Sequence, residues 1–248
     1  MSSTPPHPVL TEYYRTARDR QPFVTELFDA TAPYYERAAW LLSFGLDRRY
    51  HRWALERAGL GPGMRLLDVA IGTGLIAGSA LDILGEARAI VGIDPSTGML
   101  AQARRRVAGP LVQGRAEALP FRDQRFDVLT MGYALRHVPD LEQAFQEYLR
   151  VLKPGGRIVL LEISRPRSPW GRGLMRLYLQ RVVPRILRLR GAGPDARVLL
   201  RYYWDTIAEC VSPETILGAL RASGFARAEH REFGRVLSEY SAVKPFAP

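Results

Sequence analysis

The stretch of the 248-residue chain best suited to chemistry is Leu66-Leu67-Asp68-Val69-Ala70-Ile71-Gly72-Thr73-Gly74, an apolar run that carries one acid into a glycine-rich turn. The run reads as a buried strand, and Gly72 and Gly74 give the turn the positive φ and close backbone approach that a Cβ would obstruct. A helix opens at Leu75. Ligands of open α/β sheets bind beyond the carboxyl ends of the strands, where this loop must lie. The string Gly-Thr-Gly-Leu-Ile-Ala also fits a dinucleotide fingerprint, a weak signal by itself. Asp68 separates the two readings: it repels a pyrophosphate and suits a cationic methionine moiety, which favours a sulfonium cofactor.

Asp94 ends the next apolar run, Ala89-Ile90-Val91-Gly92-Ile93-Asp94, near the same crevice. A carboxylate there can accept both ribose hydroxyls of an adenosine, or cap the helix that Pro95 and Ser96 start. Gly114-Arg115-Ala116-Glu117 follows a third strand and is placed to flank an adenine.

The elements that hold these residues follow from periodicity. Strands are expected at 65–70, 89–93, 111–113, 126–131 and 157–163, with helices from Leu75, from Thr97 and over 141–152. This alternation builds βαβ units and a parallel sheet. Lys153-Pro154-Gly155-Gly156 is expected as a turn between helix and strand. Ahead of this core, residues 21–60 have helical period, and Pro22 and Pro33 suit helix starts, predicting two or three helices. Between 164 and 200, Leu174, Leu177, Tyr178, Val182, Ile186 and Leu189 make an apolar stripe interleaved with arginines. Ser212-Pro213-Glu214 reads as N-cap, N1 and acidic first turn of a helix closed by Gly224, and strands near 225–233 and 236–243 finish the sheet.

The sequence forms one sizeable core. Residues 1–8 lack the pattern of a signal peptide, and no run is long and apolar enough to span a bilayer. The single cysteine, Cys210, excludes an internal disulfide and points to the cytoplasm. His7, His51, His137 and His230 are scattered, so no metal site is expected. The net charge of +10, nearly all from arginine, raises nucleic acid or anionic membrane as partners.

Read together, Leu67-Asp68-Val69 through Gly72-Thr73-Gly74, Gly92-Ile93-Asp94-Pro95-Ser96, Met99-Leu100, Ala116-Glu117-Ala118-Leu119-Pro120-Phe121 and Val151-Leu152-Lys153-Pro154-Gly155-Gly156-Arg157 are similar to the successive motifs of class I S-adenosylmethionine-dependent methyltransferases. Flanking segments narrow the resemblance. Ala32-Pro33, Tyr35-Glu36 and Ser43-Phe44-Gly45-Leu46, then Tyr133-Ala134-Leu135-Arg136-His137-Val138-Pro139-Asp140, Leu161-Glu162-Ile163-Ser164-Arg165-Pro166, and Arg201-Tyr202 with Asp205-Thr206-Ile207 resemble the ubiquinone/menaquinone biosynthesis C-methyltransferases.

The resemblance implies an α/β, Rossmann-like doubly wound, seven-stranded mostly parallel sheet. A helical cap would cover 1–60, a catalytic domain 61–248, and a helical insertion about 165–210 would follow strand 5. It implies S-adenosyl-L-methionine as cofactor, held by Asp68, Gly72, Thr73, Gly74, Asp94, Pro95, Met99, Arg115, Ala116 and Glu117. The acceptor it implies is a ring carbon of a quinol, a demethylmenaquinol or ubiquinol precursor, with Arg136 activating the ring through ordered water and Tyr35 reaching the acceptor or orienting water. His137 could take the ring proton near neutral pH. The bland readings are a strand-end loop for Arg136 and His137, and core packing for Tyr35.

The chain departs from the family pattern at His137 and Ala39, each in place of Asn, at Gly132 and Arg115, and in the tail over 233–244. Arg115 cannot accept from an adenine amino group, so Glu117 or a backbone carbonyl would. These departures keep open another phenolic or natural-product acceptor, methylated at oxygen or carbon. An RNA methyltransferase is a remoter alternative, prompted by the charge but without an Asn/Asp-Pro-Pro-aromatic motif where Tyr133-Ala134-Leu135-Arg136 stands; no nucleic acid partner is expected. The arginine-flanked stripe suits either an interfacial helix on an anionic membrane or a lid packed on the domain.

Overall fold

The computed structural model of the chain describes residues 4–43 and 45–246, so Phe44 of the N-terminal motif and the first three residues of the expected leaderless terminus lie outside the described residues. β1 (Leu66–Val69), β2 (Ile90–Asp94), β3 (Leu111–Gln113), β4 (Phe126–Gly132) and β5 (Leu152–Ile163) pair in parallel, in the spatial order β3-β2-β1-β4-β5. β6 (Ala226–Phe233) lies at the far edge, and β7 (Leu237–Val243) inserts antiparallel between it and β5. The order reverses direction between β1 and β4, which opens a crevice at the carboxyl ends of these strands. The sheet is seven-stranded, Rossmann-like and mostly parallel, as the motifs imply.

Every residue of β1 and β2 is buried, because helices cover both faces, and this is why these strands read as unbroken apolar runs. Alternation along the pleat still divides them. Leu67 and Val69 join the core under α5 (Leu141–Val151) and α9 (Pro213–Ala222), whereas Leu66 joins the opposite core with α2 (Asp47–Arg57) and α3 (Leu75–Leu84). Most expected boundaries stand within a residue or two, including the Ser212 cap with Pro213 at N1.

Two expectations are corrected. Pro33 starts no helix: α1 (Arg20–Ser43) runs through it as one 24-residue helix. Proline there costs the helix a hydrogen bond to the carbonyl of Asp29. The same turn is held from outside, where the Asp29 carboxylate accepts from Ser96 Oγ at 2.6 Å and from the Gly98 amide at 2.8 Å, both at the start of α4 (Thr97–Ala103). Residues 153–156 are not a clean break before β5. Pairing with β4 begins at Phe126↔Leu152, jumps to Val128↔Arg157, and the surplus residues bulge with Gly155 at φ 76°.

The insertion holds α6 (Pro169–Leu177), a π-turn (Tyr178–Val182), α7 (Val183–Leu189) and α8 (Asp195–Glu209). The face it buries is Leu179, Val183 and Leu187, packed against Ala38, Leu200 and Trp204. Most of the expected stripe faces solvent.

Candidate active site

A crevice opens beyond the carboxyl ends of β1, β2 and β4. Gly72, Asp94, Pro95, Met99, Arg115, Ala116 and Glu117 line it from one side, Tyr35 and His137 from the other. Asp68, Thr73, Gly74 and Arg136 are not among the lining residues.

The loop after β1 turns sharply because Ala70, Gly72 and Gly74 all adopt left-handed backbone, at φ 53°, 57° and 81°. Two of the three are glycine, which takes this conformation at little cost. Asp94 clamps the loop: Oδ2 accepts from the Gly72 amide at 2.8 Å and Oδ1 from the Ser96 amide at 2.9 Å. The helix cap at α4 is Ser96, whose Oγ accepts from Met99 N, so Asp94 is not the cap. Each Asp94 oxygen retains a further lone pair for a ligand hydroxyl.

Asp68 is 1 % exposed. Thr130 Oγ1 donates to its Oδ1 at 2.8 Å, while Oδ2, like the buried Thr73 Oγ1, lacks a hydrogen bond of good geometry. Burial pushes the Asp68 pKa up to about 7 and that of Asp94 up to about 6. Two desolvated carboxyls beside a glycine turn, one with an orphaned oxygen, form a wall that a cation with hydroxyl groups would satisfy. The residues present therefore fit S-adenosylmethionine.

Farther along, Arg115 is half exposed, with Nε 3.5 Å from the buried Glu117 carboxylate. Gly132 lines the crevice, and a Cβ there would come within 2.4 Å of Ile76 Cδ1, the movable end of that side chain.

The opposite wall is built on a buried ion pair. Arg136 is fully buried; Nη1 bonds Glu162 Oε2 at 2.5 Å, Nε donates to Thr206 Oγ1 at 3.1 Å, and the guanidinium lies 4.7 Å from the Tyr203 ring centroid. Tyr203 Oη is 2.8 Å from Tyr35 Oη, so this phenol pair links Arg136 to the crevice. Burial raises the pKa of both phenols.

His137 stacks on Tyr202 and Tyr203, and both its ring nitrogens lack partners. Burial and the neighbouring Arg136 drive its pKa well below the ordinary histidine value. The imidazole is therefore neutral and weakly basic, a correction to the expectation of proton uptake near neutral pH.

Sequence reasoning missed Arg20 on α1. It is 2 % exposed and bonds only carbonyls, His7 O at 3.0 Å and Val138 O at 3.3 Å, with no carboxylate partner among the described residues. It anchors the N-terminal segment, which also ties down through Leu141 N to Thr4 O and Val211 N to Pro6 O. His7 is buried there, its pKa lowered to about 4 by burial and by Arg20. The only trace in the sequence is an arginine at the start of an amphipathic helix, indistinguishable from a surface charge. Among the described residues no cluster of three His, Cys, Asp or Glu could hold a metal, and no helix is long and apolar enough to cross a membrane.

The ubiE/COQ5 methyltransferase family model matches residues 15–244. The chain is 37% identical over 230 residues to the ubiquinone/menaquinone biosynthesis C-methyltransferase UbiE of Geobacter sulfurreducens, covering 90% of this chain and 88% of that protein. It is 34% identical over 233 residues to a demethylmenaquinone methyltransferase of a Mycobacterium species, covering 93% and 98%. Among solved structures, a SAM-dependent methyltransferase from Thermotoga maritima described as a possible histamine N-methyltransferase superposes with TM-score 0.58 at 23% identity, covering 89% of this chain and 99% of that one. Haemonchus contortus phosphoethanolamine N-methyltransferase 2 in complex with S-adenosyl-L-methionine gives 0.58 at 19%, over 79% and 52%. The structural likenesses establish the fold, and the family match across the length of the sequence establishes more: the chain belongs to the ubiE/COQ5 methyltransferase family and is an S-adenosylmethionine-dependent enzyme.

Proposed function

We propose that this enzyme methylates a ring carbon of a quinol, a demethylmenaquinol or a ubiquinol precursor. The observation that carries this reading is the opposed polarity of the crevice, with Asp94 and the buried Asp68 on one side and, on the other, the buried Arg20, which has no carboxylate partner among the described residues. When bound, S-adenosylmethionine supplies an electrophilic methyl group on a positively charged sulfur. Asp68 would balance the charge of its methionine end, Asp94 would accept from its ribose, and Gly72, Thr73 and Gly74 shape the turn. Pro95, Met99, Arg115, Ala116 and Glu117 would hold the adenosine, with the Glu117 carboxylate as the acceptor for the adenine amino group.

A quinol carbon becomes nucleophilic as a ring hydroxyl gives up its proton, and the developing phenolate must be stabilised. Tyr35 Oη and a neutral His137 face the crevice and orient that hydroxyl. Arg20, which has no carboxylate partner among the described residues, is the buried positive charge that lowers the cost of the phenolate without touching it, whereas Arg136 is balanced by Glu162. Arg136 thus positions and polarises the Tyr203–Tyr35 pair rather than contacting the ring, with ordered water carrying the proton away. Most of the acceleration comes from aligning donor and carbon. A prenyl-tailed acceptor resides in a bilayer, so the reading includes a cytoplasmic enzyme in peripheral contact with the anionic inner membrane face.

The test is transfer of labelled methyl from S-adenosylmethionine to a panel of demethylmenaquinol, demethylated ubiquinol precursors and simple phenols. Product methylated at carbon from a quinol, and from no simple phenol, is expected. Turnover of phenols alone would reassign the acceptor.

A further inference from the structure

The insertion carries a face that the fold leaves uncovered. α6 has no buried residue, and Trp170, Leu174 and Leu177 are 89 %, 66 % and 45 % exposed. Their spacing of four and three residues places them on one side of a helix. An uninterrupted α-helix would next bring Arg181, Arg185 and Arg188 to that side, at about 100° per residue. The π-turn at Tyr178–Val182 prevents this. One surplus residue shifts the register, so the line continues instead through Val182, Ile186 and Leu189. Val182 is exposed and Leu189 is 88 % exposed, while the buried face, Leu179, Val183 and Leu187, lies roughly a third of a turn away.

The remaining sector is cationic. Between Ser164 and Pro194 there are eight arginines and neither Asp nor Glu. Arg176, Arg181, Arg185 and Arg188 are exposed, and among the described residues none of them pairs with a carboxylate. The helical segment therefore has three faces: one packed on α1 and α8, one apolar and bare, one basic. A bare apolar line flanked by unpaired guanidiniums matches the boundary between headgroups and acyl chains of an anionic bilayer, where apolar side chains enter the lipid and arginines meet phosphates. RNA would use the charge but leave Trp170, Leu174 and Leu189 unburied.

We infer that the segment from Trp170 to Leu189 is a lipid-docking surface, held in one plane by the π-turn, that seats the enzyme on an anionic membrane. This rests on the quinol reading only for its purpose. The Tyr178 hydroxyl donates to the Leu41 carbonyl at 2.7 Å, joining this surface to α1 two turns beyond the crevice residue Tyr35.

Co-sedimentation of the full chain with phosphatidylglycerol vesicles, against phosphatidylcholine vesicles, tests it. Binding to the anionic vesicles is expected, weakened about fivefold for each of Arg181, Arg185 and Arg188 changed to Gln. The variant Trp170→Ser/Leu174→Ser/Leu177→Ser should lose at least tenfold in partitioning while binding S-adenosylhomocysteine and methylating a short-tailed quinol as before. Equal sedimentation of this variant, no binding to anionic vesicles at low salt, or an RNA shift abolished by the arginine changes without vesicle binding would each overturn the proposal. Vesicle binding as described, with no methyl transfer to any quinol, would leave the docking surface standing and remove the acceptor reading.

Discussion

The two walls of the crevice are built differently. The donor wall comes from contiguous stretches at the ends of neighbouring strands, and its buried charge is acidic: Asp68 in β1 and Asp94 as the last residue of β2. The acceptor wall gathers His7, Arg20, Tyr35, His137 and Tyr203 from an N-terminal segment, α1, the turn after β4 and α8, and its unbalanced charge is basic. Glu162 neutralises Arg136, but Arg20 has only carbonyls. A cofactor loop can be fixed by one strand and one turn, whereas a substrate wall is assembled from distant segments and can change piece by piece.

Substitutions that strike one wall should leave the other working, and the largest split is expected at Arg136. Removing one member of a buried ion pair strands the other, so Arg136→Ala should cost about 3–5 kcal/mol in urea unfolding. The double variant Arg136→Met/Glu162→Leu should regain most of that loss. In the double variant, affinity for S-adenosylhomocysteine should stay within about threefold while turnover falls by at least about 100-fold, the scale of lost electrostatic stabilisation. Turnover at the native rate would make the arginine purely structural. Next in size, Asp94→Ala strips the acceptor from the Gly72 and Ser96 amides together, and calorimetry should record cofactor-product affinity about 100-fold weaker.

A smaller effect separates the walls by titration. With its pKa driven well below the ordinary value, His137 stays neutral from pH 6 to 9, so turnover at saturating cofactor should show no inflection near 6.5. An inflection removed by His137→Asn would restore it as the base. Smallest is Gly72→Ala. Left-handed backbone at φ 57° costs a side chain about 1–2 kcal/mol, so the melting temperature should drop by about 3–6 °C, with no clash to add, since the nearest atom to the new Cβ is 4.0 Å away.

The donor wall was legible because its signals are local. Glycines at a strand end, an acid before them and a second acid after the next strand all fall within 30 residues of Leu66. The parallel strands were legible because burial on both faces makes each one an apolar run. Pro33 was misread as a helix start because the packing that carries α1 through it, Asp29 on α4, joins residues 69 positions apart. The stripe of the insertion was found, but which side it faced was not, since a π-turn leaves no mark in the sequence and shifts every later residue around the axis. Arg20 was invisible for the same kind of reason: its burial depends on a segment that folds back over it.

The measurement that bears most directly on the charge of the donor wall is calorimetric titration of S-adenosylmethionine between pH 5.5 and 8.5, with the native chain and Asp68→Asn. The Asp68 pKa is raised to about 7 in the free protein, and a cationic ligand favours the ionised form. Affinity should be full above pH 7 and decline as pH falls through that value, by up to about tenfold per unit. The Asn variant should bind at least about tenfold more weakly at pH 8 and lose the part of this slope around pH 7, keeping only the decline near pH 6 that Asp94 contributes. Native-like affinity in the variant, with the same pH slope, would contradict a wall that holds its ligand by charge.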